Sequence, residues 1–341
     1  MKVITFGELL LRLASPGYTK LFQKDILEAT FCGGEANVAV SLAVFGVDSA
    51  FVTKLPNSDV GHAASRSLDY FKVDTSKIIF GEGRMGLYYL EKGASQRPSK
   101  VIYDRAYSSI ALAKKNEFDW DKILDGADWF HWTGINPALS DELAEICLIA
   151  CKKATEKGIT VSCDLNYRGK LWIPEKAQVI MKPLMRYVDV CICNEEDAEK
   201  VLGIKADGTN VESSKLDIDG YVRTAETIHK QYGCKYIATT LRKSYSASRN
   251  GWRAMLYNSE TKKNYLSTEY DIQLVDRVGG GDSFGAGLIY ALGTGMECYD
   301  AIEFATAASC LKQTIEGDFN RTSVKDVEML IKNGGNGRVQ R

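Results

Sequence analysis

The sequence lacks most features that would decide its class outright. No apolar run approaches the roughly 20 residues needed to cross a bilayer. Neither sign of charge dominates: 43 Lys and Arg against 44 Asp and Glu leave a net charge of -1. A near-neutral chain has no bulk attraction for nucleic acid or an anionic membrane, and neither is expected as a partner. Prolines number only six and no repeat recurs, which with 45% apolar residues excludes collagen-like, repetitive and disordered chains. The three histidines lie far apart and none of the nine cysteines forms a C-x-x-C pair, so structural zinc is not expected. Several cysteines sit in apolar runs (VDVCICN, ITVSCDLN), where a thiol behaves as a small hydrophobe; reduced thiols in a cytoplasmic protein are expected. The apolar N-terminus is interrupted by Glu8 and Arg12 and reads as a buried first strand, not a secretory signal. The P-loop pattern and a strand-linked G-x-G-x-x-G are also missing.

What is present is an alternation. KVITF, AFVTKL, ADWFHW, ITVSCDL, VDVCIC and YIATTL are short apolar runs suited to strands covered on both faces. Between them EANVAVSLAVFG, SDVGHAASRSLDYF, SDELAEICLIACKKATEKG, NEEDAEKVLG and YVRTAETIHKQYG carry helical spacing, with Ser140 as a cap and Gly158 and Gly233 as stops. The pattern over about 110–315 predicts an α/β class: a parallel sheet with helices on both sides. Residues 9–31 and 80–109 break the rhythm with alternating stretches such as RMGLYYLEKG and SKVIYDRAY. They are expected to form one small antiparallel sheet, a lid on a core made of 1–8, 32–79 and 110–341. An exposed sheet of that kind has an apolar face to protect, so a homo-oligomer through the lid is expected. The polar stretch 205–219 reads as a surface loop, ahead of a Gly-rich, basic C-terminal tail.

The most informative stretch is DRVGGGDSFGAG at 276–287, directly before the apolar LIYALGTG. Three glycines at 279–281 let backbone N–H groups converge, and a following helix N-terminus makes an anion site suited to a phosphoryl group. Asp282 stands at its mouth, where a carboxylate can accept a hydroxyl proton; the plainer reading is a glycine turn with Asp282 as a helix cap.

This stretch resembles the C-terminal signature of the ribokinase-like (PfkB) carbohydrate kinases, D-T-x-G-A-G-D-x-F-x-x-G, with Arg277 for Thr and Gly280 for Ala. CGGEANVAVSLAVFG at 32–46 is similar to the family's N-terminal signature. The resemblance implies a three-layer α/β/α ribokinase-like core, with ATP and Mg2+ as cofactors. It implies Asp282 as the base, Gly279, Gly280 and Gly281 as the anion hole, and Gly33, Gly34 and Asn37 at the sugar. NEED at 194–197 resembles the family's N-x-x-E element, which implies Asn194 near the nucleotide and Asp197 at the metal through water. Asn194 and Asp197 equally read as a capping box. TTLR at 239–242 stands where the family has T-L-G, which implies Thr240 and Arg242 at the nucleotide, with Ser309 in the same set.

The substrate class is read from the lid and one core strand end. Tyr103 and Arg105 alternate onto one face of a strand, and DLNYR places Arg168 past a strand's end, where α/β sheets bind ligands. Two arginines near one site suit a carboxylate better than plain hydroxyls; alone, each also reads as a surface ion pair. GLYYLE, YDRAYS and DLNYR together resemble 2-keto-3-deoxygluconate kinases within the family, with Tyr88 at the pocket. The expected activity is ATP-dependent phosphorylation of that sugar acid. A neutral-sugar kinase and a non-catalytic sugar-acid-binding regulator are the alternatives.

Overall fold

The computed structural model describes residues 1–194, 196–205 and 218–334; 206–217, most of the polar stretch, and the tail from 335 lie outside the described residues, as does Glu195. Its strands are β1 (Lys2–Phe6), β2 (Leu10–Ala14), β3 (Glu28–Cys32), β4 (Asp48–Pro56), β5 (Ile78–Gly81), β6 (Gly86–Glu91) and β7 (Lys100–Asp104). They continue with β8 (Trp129–Thr133), β9 (Thr160–Asp164), β10 (Val190–Cys193), β11 (Tyr236–Ser246), β12 (Arg249–Asn258), β13 (Lys263–Leu266) and β14 (Tyr270–Gln273).

The large sheet runs β13-β12-β11-β10-β9-β8-β1-β4-β5, with β14 also on β12. From β5 to β11 every pairing is parallel. All five positions of β8 and all four of β10 are buried, as strands covered on both faces require. One face packs the helix Asp141–Glu156 through Leu143, Ile146 and Ala150. The other packs the helices Gly280–Gly293 and Cys298–Lys312 through Phe284, Leu288, Ile302 and Ala305. The result is three layers around the sheet. Ser140 Oγ accepts from Leu143 N–H, and Gly158 and Gly233 adopt φ of 71° and 83°, closing the helices where their sequence signals stood.

Two features differ from the sequence expectation. The sheet is not parallel throughout: β12, β13 and β14 are antiparallel. Only Ala247 and Ser248 separate β11 from β12, and a parallel return needs a crossover of a dozen residues or more. The small sheet is mixed rather than antiparallel. Its order is β3-β2-β6-β7, with β2 and β6 parallel and the outer pairs antiparallel. β2 follows β1 and β6 follows β5, both from the same end of the parallel core, so they leave it in one direction and β3 and β7 return. Residues 80 and 81 belong to β5 on the core sheet, so the second segment of the small sheet begins at Gly86 rather than at 80.

Candidate active site

The ends of β9 and β10, with Asp164 and Asn194, and Thr240 within β11 meet a cavity of about 460 Å³ that opens beside the glycine loop. The carboxyl ends of parallel strands are where open α/β sheets hold ligands. Gly279, Gly280, Gly281 and Asp282 form one wall, Asn194, Asp197, Thr240 and Arg242 another, and Arg168 and the lid residue Tyr103 reach the same space.

The loop glycines differ in how tightly they are held. Gly279 has φ 77°, and a Cβ there would stand 2.2 Å from the Asp318 carbonyl oxygen. Gly281 has open space where its side chain would be. The helix Gly280–Gly293 therefore begins at the cavity with first-turn N–H groups that have no acceptor inside the helix, an anion site. Ser309 does not line the cavity. It is buried behind the loop, where its hydroxyl donates to the Gly280 carbonyl at 2.7 Å, holding the loop rather than a ligand.

Asp282 is half-buried in the first turn of that helix. Asn37 Nδ2 donates to its Oδ2 at 2.6 Å, and Asn37 Oδ1 accepts from Gly33 N–H at 3.3 Å, so the N-terminal signature orients the carboxylate of the C-terminal one. Burial raises the Asp282 pKa to about 6; Asn37 and the Arg168 and Lys312 charges oppose this, and Asp318 adds to it. A carboxylate titrating near neutrality suits a general base. Gly33 must be glycine because a Cβ would stand 2.0 Å from the Glu8 carbonyl oxygen, whereas Gly34 has Asp282 Oδ1 at 3.7 Å, ordinary contact.

Asn194 and Asp197 form the reciprocal cap. Asn194 Oδ1 accepts from Asp197 N–H and Asp197 Oδ2 accepts from Asn194 N–H, while Asp197 Oδ1 takes the N–H of Tyr167. Both carboxylate oxygens thus hold backbone. Asp164, at the end of β9, was not singled out in the sequence. It lines the same cavity, and burial followed by the charges of Asp197 and Asp282 pushes its pKa well above the ordinary carboxylate range. The legible signal was its place on the end of a core strand in DLNYR. Asp164 and Asp197 share this cavity, and because both Asp197 oxygens already hold backbone N–H groups, the pair suits a cation met through its water shell; among the described residues no cluster of three or more metal-ligating side chains exists.

The expected substrate residues divide. Arg168 lines the cavity, donates only to its neighbour's Tyr167 carbonyl at 3.0 Å, and has no carboxylate partner among the described residues. Arg105 differs from the expectation: it does not line this cavity, and its Nε donates to the buried Glu8 Oε2 at 2.7 Å, with Nη2 on the same oxygen. A guanidinium spent on an internal carboxylate has little left for a ligand. Tyr88 also faces inward without lining the cavity; its hydroxyl donates to Asp318 at 2.8 Å, and its ring packs on Tyr103. Glu35, likewise not singled out, is buried next to Gly34 in the chain and accepts from Thr133 N–H and Oγ1, its pKa raised by burial to about 7.

Comparison with known proteins agrees with this geometry. A family model described as pfkB family carbohydrate kinase matches residues 2–321. The chain is 51% identical to the crystal structure of 2-dehydro-3-deoxygluconokinase from Thermotoga maritima, with a TM-score of 0.93 over 97% of this chain and 99% of that one. It is 30% identical to 2-dehydro-3-deoxygalactonokinase of Haloferax volcanii over 98% of each, and 26% identical to 2-dehydro-3-deoxygluconokinase of Bacillus subtilis over 94% of this chain and 92% of that one. No helix among the described residues is long and apolar enough to cross a membrane. With a ribokinase-like fold, two sequence signatures that meet through Asn37 and Asp282, and a family match across nearly its whole length, this chain belongs to the pfkB family of carbohydrate kinases.

Proposed function

We propose that this carbohydrate kinase uses ATP and Mg2+ to phosphorylate 2-keto-3-deoxygluconate (2-dehydro-3-deoxygluconate) on its 6-hydroxyl. The observation that carries the reading is one cavity holding both an Asn37-oriented carboxylate at the mouth of a glycine anion loop and Arg168, which has no carboxylate partner among the described residues. The names of the similar proteins support the same substrate class. Asp282 accepts the hydroxyl proton as the new O–P bond forms and the bond to the leaving ADP oxygen breaks. The first-turn N–H groups at Gly279–Gly281 meet the transferring phosphoryl group, and positioning with electrostatics supplies most of the rate. Arg168 takes the substrate carboxylate as a fork, with Tyr103 beside it. Asn194, Thr240 and Arg242 line the nucleotide end. Asp197 and Asp164 would hold Mg2+ through water, where the ion would supply neutralisation of phosphate charge. All nine cysteines are unpaired, which fits a cytoplasmic setting. Tyr18, Phe22, Ile26 and Ile102 on or beside the lid strands are 56%, 70%, 64% and 41% exposed, which supports a second copy covering the lid; sedimentation at micromolar concentration checks it.

The test is ADP release over a panel of 2-keto-3-deoxy sugar acids, including the gluco and galacto epimers, and their neutral ketose counterparts. Turnover with a sugar acid at least tenfold more efficient than with any neutral sugar is expected. Preference for a neutral sugar removes the acid reading and leaves a neutral-sugar kinase; no turnover with any substrate leaves a binding protein.

A further inference from the structure

Behind the glycine loop lies a buried group of charges that the reaction above does not use. Arg12 and Lys312 are 2% and 0% exposed, Asp276 and Asp318 3% and 4%, and none of them lines the catalytic cavity. Arg12, on lid strand β2, donates from Nη2 to Asp276 Oδ2 at 2.6 Å and from Nη1 to Asp318 Oδ2 at 2.5 Å. Tyr88, on lid strand β6, donates to the other oxygen of Asp318. Asp276 accepts from Val278 N–H and Gly317 N–H, and Lys312 Nζ donates to the carbonyls of Gly317, Asp276 and Ile315. These contacts tie the lid to both backbone segments that frame Gly279, since Asp276 lies three residues before it and the Asp318 carbonyl abuts it.

Two cations and two carboxylates balance, yet burying them is costly, and apolar side chains of similar volume often stabilise a fold as well or better. Stability therefore does not explain this arrangement. What a guanidinium adds is a rigid planar fork that sets two acceptors at a fixed separation, which neither an ammonium nor a hydrocarbon does. Here the two acceptors belong to the two walls of the anion loop and the fork belongs to the lid.

We infer that Arg12 is a positioning residue for phosphoryl transfer, locking the lid to the glycine loop so that the anion hole takes its reactive shape only with β2 docked. This rests on the glycine loop receiving the transferring phosphoryl group, not on which sugar is used. Arg12→Lys keeps the charge and loses the fork. It is expected to lower kcat roughly 30- to 100-fold, the scale of an ångström of misplacement, with KM for ATP within about threefold of wild type. Arg12→Met leaves two carboxylates facing one ammonium and is expected to fold poorly. The second variant is therefore the double change Arg12→Met with Asp318→Asn, in which Lys312 and Asp276 remain balanced; it is expected to fold and to share the low kcat.

A readout independent of the sugar is hydrogen exchange with and without Mg-ADP and aluminium fluoride, a mimic of the transferring phosphoryl group. In the wild type the mimic should slow exchange in β2 and β6 as well as in 276–282. In both variants the slowing should be confined to 276–282. Wild-type kcat in Arg12→Lys and the double variant, or undiminished protection of β2 and β6 in them, overturns the inference. So does a kcat loss that vanishes when each protein is assayed at the same interval below its own Tm, which leaves Arg12 a purely structural residue. If no sugar is phosphorylated even by wild type, the exchange experiment still decides.

Discussion

The core wall of the cavity and the small sheet beside it handle polar side chains differently. On the core wall Asp282 has one strong partner, Asn37, and Arg168 has only a neighbouring carbonyl, so both keep bonding capacity toward the cavity. On the lid the charged groups are already matched: Arg105 with Glu8, Arg97 with Glu91, Lys92 with Glu316 and Arg12 with Asp276 and Asp318. The core wall bears the destabilising features, a carboxylate raised to about 6 and a helix mouth of bare N–H groups, as reacting groups require. The charges named on the small sheet are taken up by carboxylates of the protein itself, some of them on the core.

The comparison breaks most sharply at Asp282. Asp282→Asn should leave ADP affinity within a few-fold of wild type and lower kcat by roughly 10²–10⁴, the range for losing a general base. Steady-state kinetics with calorimetric ADP binding checks it.

The two adjacent glycines come next. Gly33→Ala puts a Cβ on the Glu8 carbonyl at 2.0 Å and should destabilise by about 3 kcal/mol, near the upper range for overpacking. Gly34→Ala meets only ordinary contacts and should change stability by less than about 1 kcal/mol while crowding Asp282 and raising KM for the sugar. Urea unfolding of the two variants separates them.

The arginines sharpen the contrast between core wall and small sheet. Arg168→Ala should lower kcat/KM for the sugar acid roughly ten- to a hundred-fold, the worth of one charge-assisted hydrogen bond, with little effect on a neutral ketose. Arg105→Ala should instead lower Tm, because it strands Glu8 as a buried charge, and should affect both substrates alike. Parallel kinetics on the two sugars with thermal melts tests the pair.

The smallest effect is on stability. A carboxyl whose pKa rises from 3.8 to about 6 on folding holds its proton more tightly in the native state, so its stabilising contribution is lost as pH rises through that window. Asp282→Asn should therefore be more stable than wild type by about 1–2 kcal/mol at pH 8, after allowance for solvent in the cavity, and the two should converge below pH 4. Denaturant melts across pH measure it.

Much of this was legible in the sequence because its signals are local. The six apolar runs became six buried core strands, and DRVGGGD and CGGEAN met at Asp282 and Asn37, with Asp197 and Asn194 forming the reciprocal cap that their spacing allowed. The rest depended on pairing across long separations. Nothing near Arg105 indicates Glu8 as its partner 97 residues away, and Arg12, read only as an interruption of an apolar run, meets carboxylates 264 and 306 residues on. Alternation placed β2 and β6 in one sheet but could not give their relative direction, which follows from leaving the same end of the core. Ser309 and Tyr88 were placed near the site, but not the partners, Gly280 and Asp318, that occupy their hydroxyls.

The most direct test of Asp282 as the base is the pH dependence of kcat in wild type and Asp282→Asn at saturating substrates. Wild type should gain activity with rising pH through a single ionisation near 6, and the residual rate of the variant should show no such step. An acidic limb that persists unchanged in the variant would assign that ionisation to another group, such as Glu35, and contradict the assignment.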